Sequence, residues 1–165
     1  MNRIKKIVFA ALAAAALTGA AGAVHLDRPV QGSSSVSAGI RSSSAASEVV
    51  RLTNSARGQN GYAALVEDGA LSEAAAVRAR EIARSFSHTR PSGASFSSAL
   101  SESGVTYLRA GENIASGQKS ASEVVNAWMN SPGHRANILN SSYSRIGSAS
   151  VNIDGTLYWV QLFAD

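Results

Sequence analysis

The C-terminal end of the chain constrains its fold more than any other part of the sequence. Two short runs, RIGSASVNI and TLYWVQLF, alternate apolar and polar residues and are joined by Asp154-Gly155. Such alternation predicts half-buried strands, and Asp-Gly is a preferred turn of a two-residue hairpin. Leu157, Trp159 and Phe163 share one face of the second strand, which predicts that this face packs on a core. The sequence is therefore expected to end in an antiparallel hairpin.

Four helical patterns precede this hairpin. Apolar residues recur at helical spacing in ASEVVRLTNSARGQNG, DGALSEAAAVRAREIARSFSH, SASEVVNAWMN and SPGHRANIL. Ser120 and Glu123 have the spacing of a capping box, and Ser131 followed by Pro132 predicts the start of another helix. The segment LRAGENIASG is expected to be extended and to end at Gly117. Helices first and a hairpin last predict an α+β fold with helices packed on a mostly antiparallel sheet.

The N-terminal residues have the pattern of a secretory signal peptide. MNRIKK is basic, IVFAALAAAAL is an apolar run too short to span a bilayer comfortably, and residues 21–23 form a small-residue cleavage site. We expect residues 1–23 to be removed, with an uncleaved membrane anchor as the alternative. Residues 24–46 are rich in Ser, Gly and Ala, which predicts a flexible linker. The folded domain is then expected over residues 47–165.

Charge and cysteine content exclude several classes of function. The chain has a formal charge of +4, and loss of the three basic residues of the signal peptide leaves about +1. Because the remaining basic residues are scattered, we expect no nucleic acid partner. The sequence contains no second long apolar run, so we expect no membrane span after cleavage. The chain has no cysteine, which excludes disulfides, thiol catalysis and thiolate zinc sites. We expect a secreted, extracellular protein, at most loosely associated with the cell envelope.

Two histidines are candidates for chemistry. With Ser131 as N-cap, His134 lies in the first turn of a helix, where free N–H groups and the helix dipole disfavour an imidazolium. A neutral imidazole can bind a metal or act as a general base, and a hydrogen bond within the fold is the alternative. His88, in SFSHTRPSG, follows the long helix and is expected in a loop that reaches a surface cleft. Its alternative role is to stabilise the helix C-terminus through the dipole.

Glu112 is the unusual carboxylate of the chain. It lies in AGENIA among small and apolar residues, where an unpaired charge is costly. The alternative is a salt bridge to a nearby arginine. Asn113 beside it can satisfy backbone groups. Neither H-E-x-x-H nor G-x-S-x-G occurs in the sequence, so the residues alone assign no catalytic function.

Four ordered motifs resemble the CAP superfamily, which includes cysteine-rich secretory proteins, antigen 5 and pathogenesis-related 1 proteins. They are FSHTRPSG, AGENIA, AWMNSPGHRANIL and YWVQLF, and they are most similar to those of bacterial SCP-like members. The resemblance covers residues 47–165 and implies an α-β-α sandwich with a large cleft. It also implies that His88 and His134 meet in this cleft beside Glu112, and that Asn113 and Ser131 line it.

Some members of this superfamily bind zinc or a similar ion through the two histidines. The resemblance therefore implies Zn²⁺ or another divalent cation at His88 and His134, with Glu112 as a third ligand or as a group that orients a ligand. The chain departs from the family in two respects. Ser131 lies near the place of a second cleft glutamate, and the family's disulfides are absent. The missing carboxylate argues against acid–base catalysis by paired glutamates.

Three functions are compatible with this resemblance. The first is a secreted binding module for a small apolar ligand, a protein or a cell-wall partner, because CAP domains share a fold more than an activity. The second is a metal-assisted hydrolase or peptidase, in which His88, Glu112 and His134 would be the candidate catalytic residues. The third is a structural protein of the cell envelope. The binding module is the function that we expect.

Overall fold

The computed structural model describes residues 34–165, and the elements below belong to that part of the chain. The helices are α1 (Ser34–Gln59), α2 (Gly69–Arg84), α3 (Ser97–Glu102), α4 (Ala121–Met129) and α5 (Pro132–Ile138). The strands are β1 (Val66–Glu67), β2 (Ala110–Ser116), β3 (Arg145–Ile153) and β4 (Thr156–Ala164). None of the helices described in residues 34–165 combines the length and the apolar character that a membrane crossing requires. The predicted signal peptide and residues 24–33 of the predicted linker lie outside the described residues.

The strands form one mixed sheet in the order β1-β3-β4-β2. β4 pairs antiparallel with both β2 and β3, and only the two-residue β1 pairs parallel, with β3. The predicted hairpin joins β3 to β4, and Asp154 and Gly155 both have positive φ, at 50° and 81°. Asp and Gly tolerate this region better than most residues, which explains why they occupy the turn. The prediction of a mostly antiparallel sheet is confirmed.

Helices cover both faces of this sheet. Along β4, Trp159 and Phe163 contact the layer of α1, α4 and α5, whereas Val160 and Leu162 contact the layer of α2 and α3. This alternation follows from the two-residue period of a strand. Trp128 of α4 is 1% exposed, at the centre of the first layer. The chain therefore forms the α-β-α sandwich that the resemblance implies.

Helix α2 packs unusually close to β3. A Cβ atom at Gly147 would lie 2.3 Å from the backbone carbon of Leu71 and from the backbone nitrogen of Ser72. Only a glycine permits this approach, because no side chain separates the strand from the helix. The helix contributes small buried residues to the same contact, namely Ala74, Ala75 and Ala79. This packing fixes the first turn of α2 on the sheet, and a candidate histidine, His88, follows the other end of this helix.

The observed elements differ from the predicted ones at four places. Helix α1 begins at Ser34, so the second half of the predicted linker is helical, and Ala46 is already part of the core. Ser and Ala are acceptable in a helix, and this segment continues directly into the buried turns of α1. The short β1 and α3 were not predicted, because neither is long enough to show a hydrophobic period. Phe86 lies within the predicted helical pattern DGALSEAAAVRAREIARSFSH, but it is 54% exposed because α2 ends at Arg84.

Candidate functional site

The site is built around a hydrogen bond between His88 and Glu112. His88 lies in the loop after α2, and Glu112 lies in the centre of β2. The imidazole Nδ1 and the carboxylate Oε2 are 2.7 Å apart. The Glu112 side chain is fully buried, whereas the His88 side chain is 56% exposed. This bond places a proton on Nδ1 and leaves Nε2 of a neutral ring free to accept or to bind an ion.

The negative charge of Glu112 is balanced by Arg78, a fully buried residue of α2. Nε of Arg78 donates to Oε1 of Glu112 at 2.7 Å, and a terminal nitrogen lies 3.4 Å from Oε2. The second terminal nitrogen donates to Glu81 at 2.6 Å. Burial alone would lower the pKa of Arg78, but the bonds and charges of Glu112 and Glu81 outweigh it and raise that pKa. The salt bridge considered as an alternative for Glu112 is therefore present.

Arg78 also holds the loop that carries His88. The terminal nitrogen that approaches Glu112 donates to the carbonyl oxygen of Ser87 at 2.7 Å. One guanidinium thus fixes both the carboxylate that binds the imidazole and the backbone next to it. Sequence reasoning missed Arg78. The sequence does contain a signal for Arg78: it lies on the apolar stripe of α2, four residues before Ile82. An arginine at such a position is buried and needs a buried partner.

A line of alternating charges runs from Glu112 to the protein surface. Arg78 joins Glu112 to Glu81, and Arg90 joins Glu81 to Glu102 of α3, whose side chain is 61% exposed. Burial raises the pKa of Glu81, but its bonds to Arg90 and Arg78 outweigh burial and lower it. Bonds to Glu81 and Glu102 raise the pKa of Arg90. The loop between α2 and α3 is therefore held by the ion pairs of Arg90 after His88 and by the bond from Arg78 to Ser87 before it.

His134 lies in the first turn of α5, where the sequence places it. Ser131 is the N-cap and Pro132 follows at the first helical position, but the Ser131 side chain forms no capping hydrogen bond. The pKa of His134 is lowered, first by burial and second by the charge of His88. The predicted direction is thus correct, whereas burial replaces the helix terminus as the main cause.

A buried amide network attaches α5 to β2. Nδ2 of Asn113 donates to the carbonyl oxygen of His134 at 3.2 Å and to Gln161 at 3.2 Å. Asn137 of α5 donates to Oδ1 of Asn113 at 2.9 Å and to the carbonyl oxygen of Glu112 at 3.2 Å. Asn113 is 0% exposed. The expectation that it lines the cleft is therefore corrected: its side chain lies beneath the site and positions the backbone of His134.

The described residues offer few groups from which an ion site could be built. Among the side chains described for this chain, no group of three or more His, Cys, Asp or Glu residues is placed to hold a metal. Both carboxylate oxygens of Glu112 are bonded, to Arg78 and to His88, so Glu112 suits the orienting role and not that of a third ligand. The two imidazoles remain. An ion held by His88 and His134 would keep water or a partner in its other positions.

Comparison with known proteins agrees with this architecture. The family model described as CAP, the cysteine-rich secretory protein family, matches residues 50–163. The chain belongs to this family. YkwD of Bacillus subtilis, an uncharacterized protein, is 42% identical to it over 118 residues, which are 70% of this chain and 45% of YkwD. The chain thus spans less than half the length of this curated relative.

Solved structures of bacterial proteins share the fold of this CAP domain. An extracellular protein of Bacillus anthracis that contains an SCP domain superimposes with a TM-score of 0.72 at 24% identity, over 84% of this chain and 45% of that one. An outer surface protein of Borrelia burgdorferi superimposes with a TM-score of 0.66 at 25% identity, over 71% of this chain and 89% of that one. The first of these neighbours is described as extracellular and the second as an outer surface protein, and both have the CAP fold of bacterial type.

Proposed function

We propose that this CAP domain is a secreted binding module whose His88–His134 pair holds a divalent cation, Zn²⁺ in the first instance, for contact with an extracellular partner. The bond from Glu112 to Nδ1 of His88 carries this proposal. A carboxylate on one ring nitrogen is the usual partner of a metal-binding histidine, because it fixes the tautomer and directs the other nitrogen outward. The lowered pKa of His134 supports it, because only a neutral imidazole binds a cation.

Binding is better supported than hydrolysis. A hydrolase of this type needs a carboxylate that exchanges protons with the substrate or with water. Glu112 is 4% exposed and both of its oxygens are bonded within the fold, so it has no free position for that task. Ser131 lies near the place where a second carboxylate is expected in the larger family members. The remaining groups are two imidazoles, to which this proposal assigns the ion, with water or a partner in its other positions.

The partner would complete the coordination of the ion. Zinc prefers four ligands, so two imidazoles leave two positions for water or for a donor of the partner. A protein or a cell-wall polymer carries carboxylates and carbonyls that suit these positions. A small apolar ligand is the other candidate, and it would bind without coordinating the ion.

Zinc titration of the mature protein tests the ion site. At about 100 times Kd, an ion that binds only the folded state adds about 2.7 kcal/mol of stability. For a domain of this size this is a rise in melting temperature of about 10 °C. His88→Ala and His134→Ala should each abolish the rise, because either leaves a single imidazole. The matched control is His25→Ala, the third histidine of the chain, and it should leave the rise intact.

A second measurement separates binding from hydrolysis and from a structural role. The protein is incubated with casein and with cell-wall material, with and without a chelator. Binding to either without cleavage supports the module, and loss of binding on chelation supports the role of the ion. Cleavage that the chelator abolishes would contradict the proposal and favour the hydrolase, and chelator-resistant sedimentation with the wall would favour a structural protein.

A further inference from the structure

A groove separate from the histidine site opens between the end of α4, helix α5 and the loop after α1. Its cavity volume is about 510 Å³, within the range of small-ligand sites. The groove is lined by Tyr62, Met129, Asn130, Pro132, Arg135, Ala136 and Leu139. Five of these seven residues offer apolar or aromatic surface, one offers a carboxamide and one a guanidinium. The lining therefore suits a ligand with both an apolar and an anionic part.

Helix α5 separates this groove from the histidine site. Arg135 and Leu139 are four residues apart and share the face that lines the groove. The side chain of Asn137 contacts Asn113 of β2 on another face, and His134, three residues earlier, lies on that face by helical spacing. A ligand in the groove would therefore not touch the imidazoles. Binding there and binding of an ion are two separate properties.

The groove has an excess of positive charge. Arg135 is exposed, and its guanidinium donates to Oδ1 of Asn60 at 2.9 Å. Arg57 lies behind the groove wall: it is 2% exposed and its guanidinium lies 5.8 Å from the ring of Tyr62. It also donates to the carbonyl oxygens on either side of Leu139. Neither arginine forms an ion pair with a carboxylate in the part of the chain that the structure describes.

Arg57 differs in this respect from two other arginines whose side chains are at most 9% exposed. Arg78 and Arg90 each bind two carboxylates. Arg57 is bonded only to carbonyl oxygens, among them those of Ala63 and Ile138. Its pKa is lowered, first by burial, whereas the carboxylates raise the pKa of the other two. A buried cation without a counter-charge is costly, and an anion bound beside it reduces that cost.

We infer that this groove binds a peptide end: the C-terminal carboxylate pairs with Arg135, and the apolar side chains before it pack on Tyr62, Met129 and Leu139. Arginine suits a carboxylate because its planar fork can donate two parallel hydrogen bonds. The side-chain amide nitrogen of Asn130 donates a hydrogen bond to the backbone carbonyl oxygen of Asn126. The side-chain oxygen of Asn130 is then left to accept a hydrogen bond from an N–H of the peptide. The ring of Tyr62 and the side chain of Met129 suit apolar residues of varied shape.

A peptide end fits this lining better than a fatty acid does. Both carry a carboxylate and apolar groups. A long acyl chain has no hydrogen-bonding group beyond its carboxylate, so the carbonyl oxygen of Asn130 would be covered without a partner, at a cost. A peptide supplies an N–H at each residue and satisfies that oxygen. The choice between the two ligands is part of the test.

The test uses the mature protein and a pair of synthetic peptides, both acetylated Ala-Leu-Leu, one with a free carboxylate and one with a C-terminal amide. Backbone amide shifts in an NMR titration report both the affinity and the place of binding. The free acid should bind at least about tenfold more tightly than the amide, because a charge-assisted pair is lost with the amide. The perturbed residues should be those of the groove, and a chelator should change nothing.

Arg135→Gln is the diagnostic variant, since it removes the charge and leaves the buried Arg57 in place. It should reduce the difference between acid and amide to less than about twofold. The matched control is Arg80→Gln on the far layer, whose guanidinium contacts only the backbone of its own helix; it should keep the difference. Melting temperatures of both variants verify the fold. The inference would be overturned if neither peptide bound, if the acid and the amide bound equally, or if the control variant lost the difference between them. It would also be overturned if dodecanoate bound more tightly than the peptide acid at the same residues.

Discussion

Arg78 is the residue whose substitution should affect this domain most. Arg78→Met keeps an unbranched side chain of similar length and removes the guanidinium. The change leaves Glu112, whose side chain is fully buried, with His88 as its remaining side-chain partner, and it removes one of the two arginines bound to Glu81. It also removes the donor to the carbonyl oxygen of Ser87. Stability and the geometry of the histidine site are therefore expected to change together.

The magnitude follows from the burial of the pair. Removing one partner of a buried ion pair costs about 3–5 kcal/mol, because the other charge stays in a medium of low dielectric constant. For a domain of this size, each kcal/mol lowers the melting temperature by about 4 °C. Arg78→Met should therefore lower the melting temperature by about 15 °C. A surface ion pair, in contrast, would contribute less than about 1 kcal/mol.

Urea denaturation followed by circular dichroism measures this change, with Arg80→Met as the control. Arg80 lies on the same helix and donates only to the carbonyl oxygen of Ala76, so its change should stay within about 0.5 kcal/mol. A double variant with Glu112→Gln should lose at least about 1 kcal/mol less than the sum of the two single losses, because the charges are coupled. A loss below about 1 kcal/mol for Arg78→Met, or additive losses, would refute the argument that this pair holds the site.

Two further substitutions test the core and the protonation of the site. Trp128→Ala should destabilise the domain by about 3–5 kcal/mol in the same denaturation assay, because Trp128 is 1% exposed and its Nε1 donates to Ile114; a loss below about 1 kcal/mol would contradict its place in the core. The pKa of His134 is lowered in the folded state by burial and by His88. As the pH falls, the imidazole of the unfolded chain is therefore protonated before that of the folded chain. The free energy of unfolding should then decrease as the pH falls below about 6.5. His134→Gln should flatten that dependence between about pH 7 and pH 5, and an unchanged slope would show that other groups cause it.

Most of the fold was predictable because its elements carry a period. The alternation along β3 and β4, with Asp154-Gly155 between them, predicts the hairpin, and the apolar stripe of α2 predicts the long helix. The caps at Ser120 and Ser131 predict where α4 and α5 begin. What could not be predicted depends on tertiary contact. β1 has two residues and exists because Val66 and Glu67 pair with β3. Helix α1 extends to Ser34 because a helix, once begun, is propagated more easily than it is started.

The candidate site was predictable as a set of residues but not as a set of roles. His88, Glu112 and His134 are identified by their motifs, and the fold places Glu112 against His88. The role of Glu112 depends on Arg78, which is 34 residues away in the sequence and part of no motif. The same holds for Asn113, whose partners lie on α5 and β4. Contacts between distant segments set these roles, and one sequence does not contain them.

Burial of the charge of Glu112 explains why this residue holds the imidazole of His88 in one position. A carboxylate at the centre of β2 must be neutralised within the fold, and Arg78 does so from the helix that packs on that sheet. Once the carboxylate is held on that side, its other oxygen can face only the loop that carries His88. The imidazole is then fixed through Nδ1 and exposed at its other edge, while Asn113 fixes the backbone of His134 from below. Rigid support beneath the exposed imidazole of His88 and beneath the backbone of His134 favours holding a ligand in place over moving protons through Glu112.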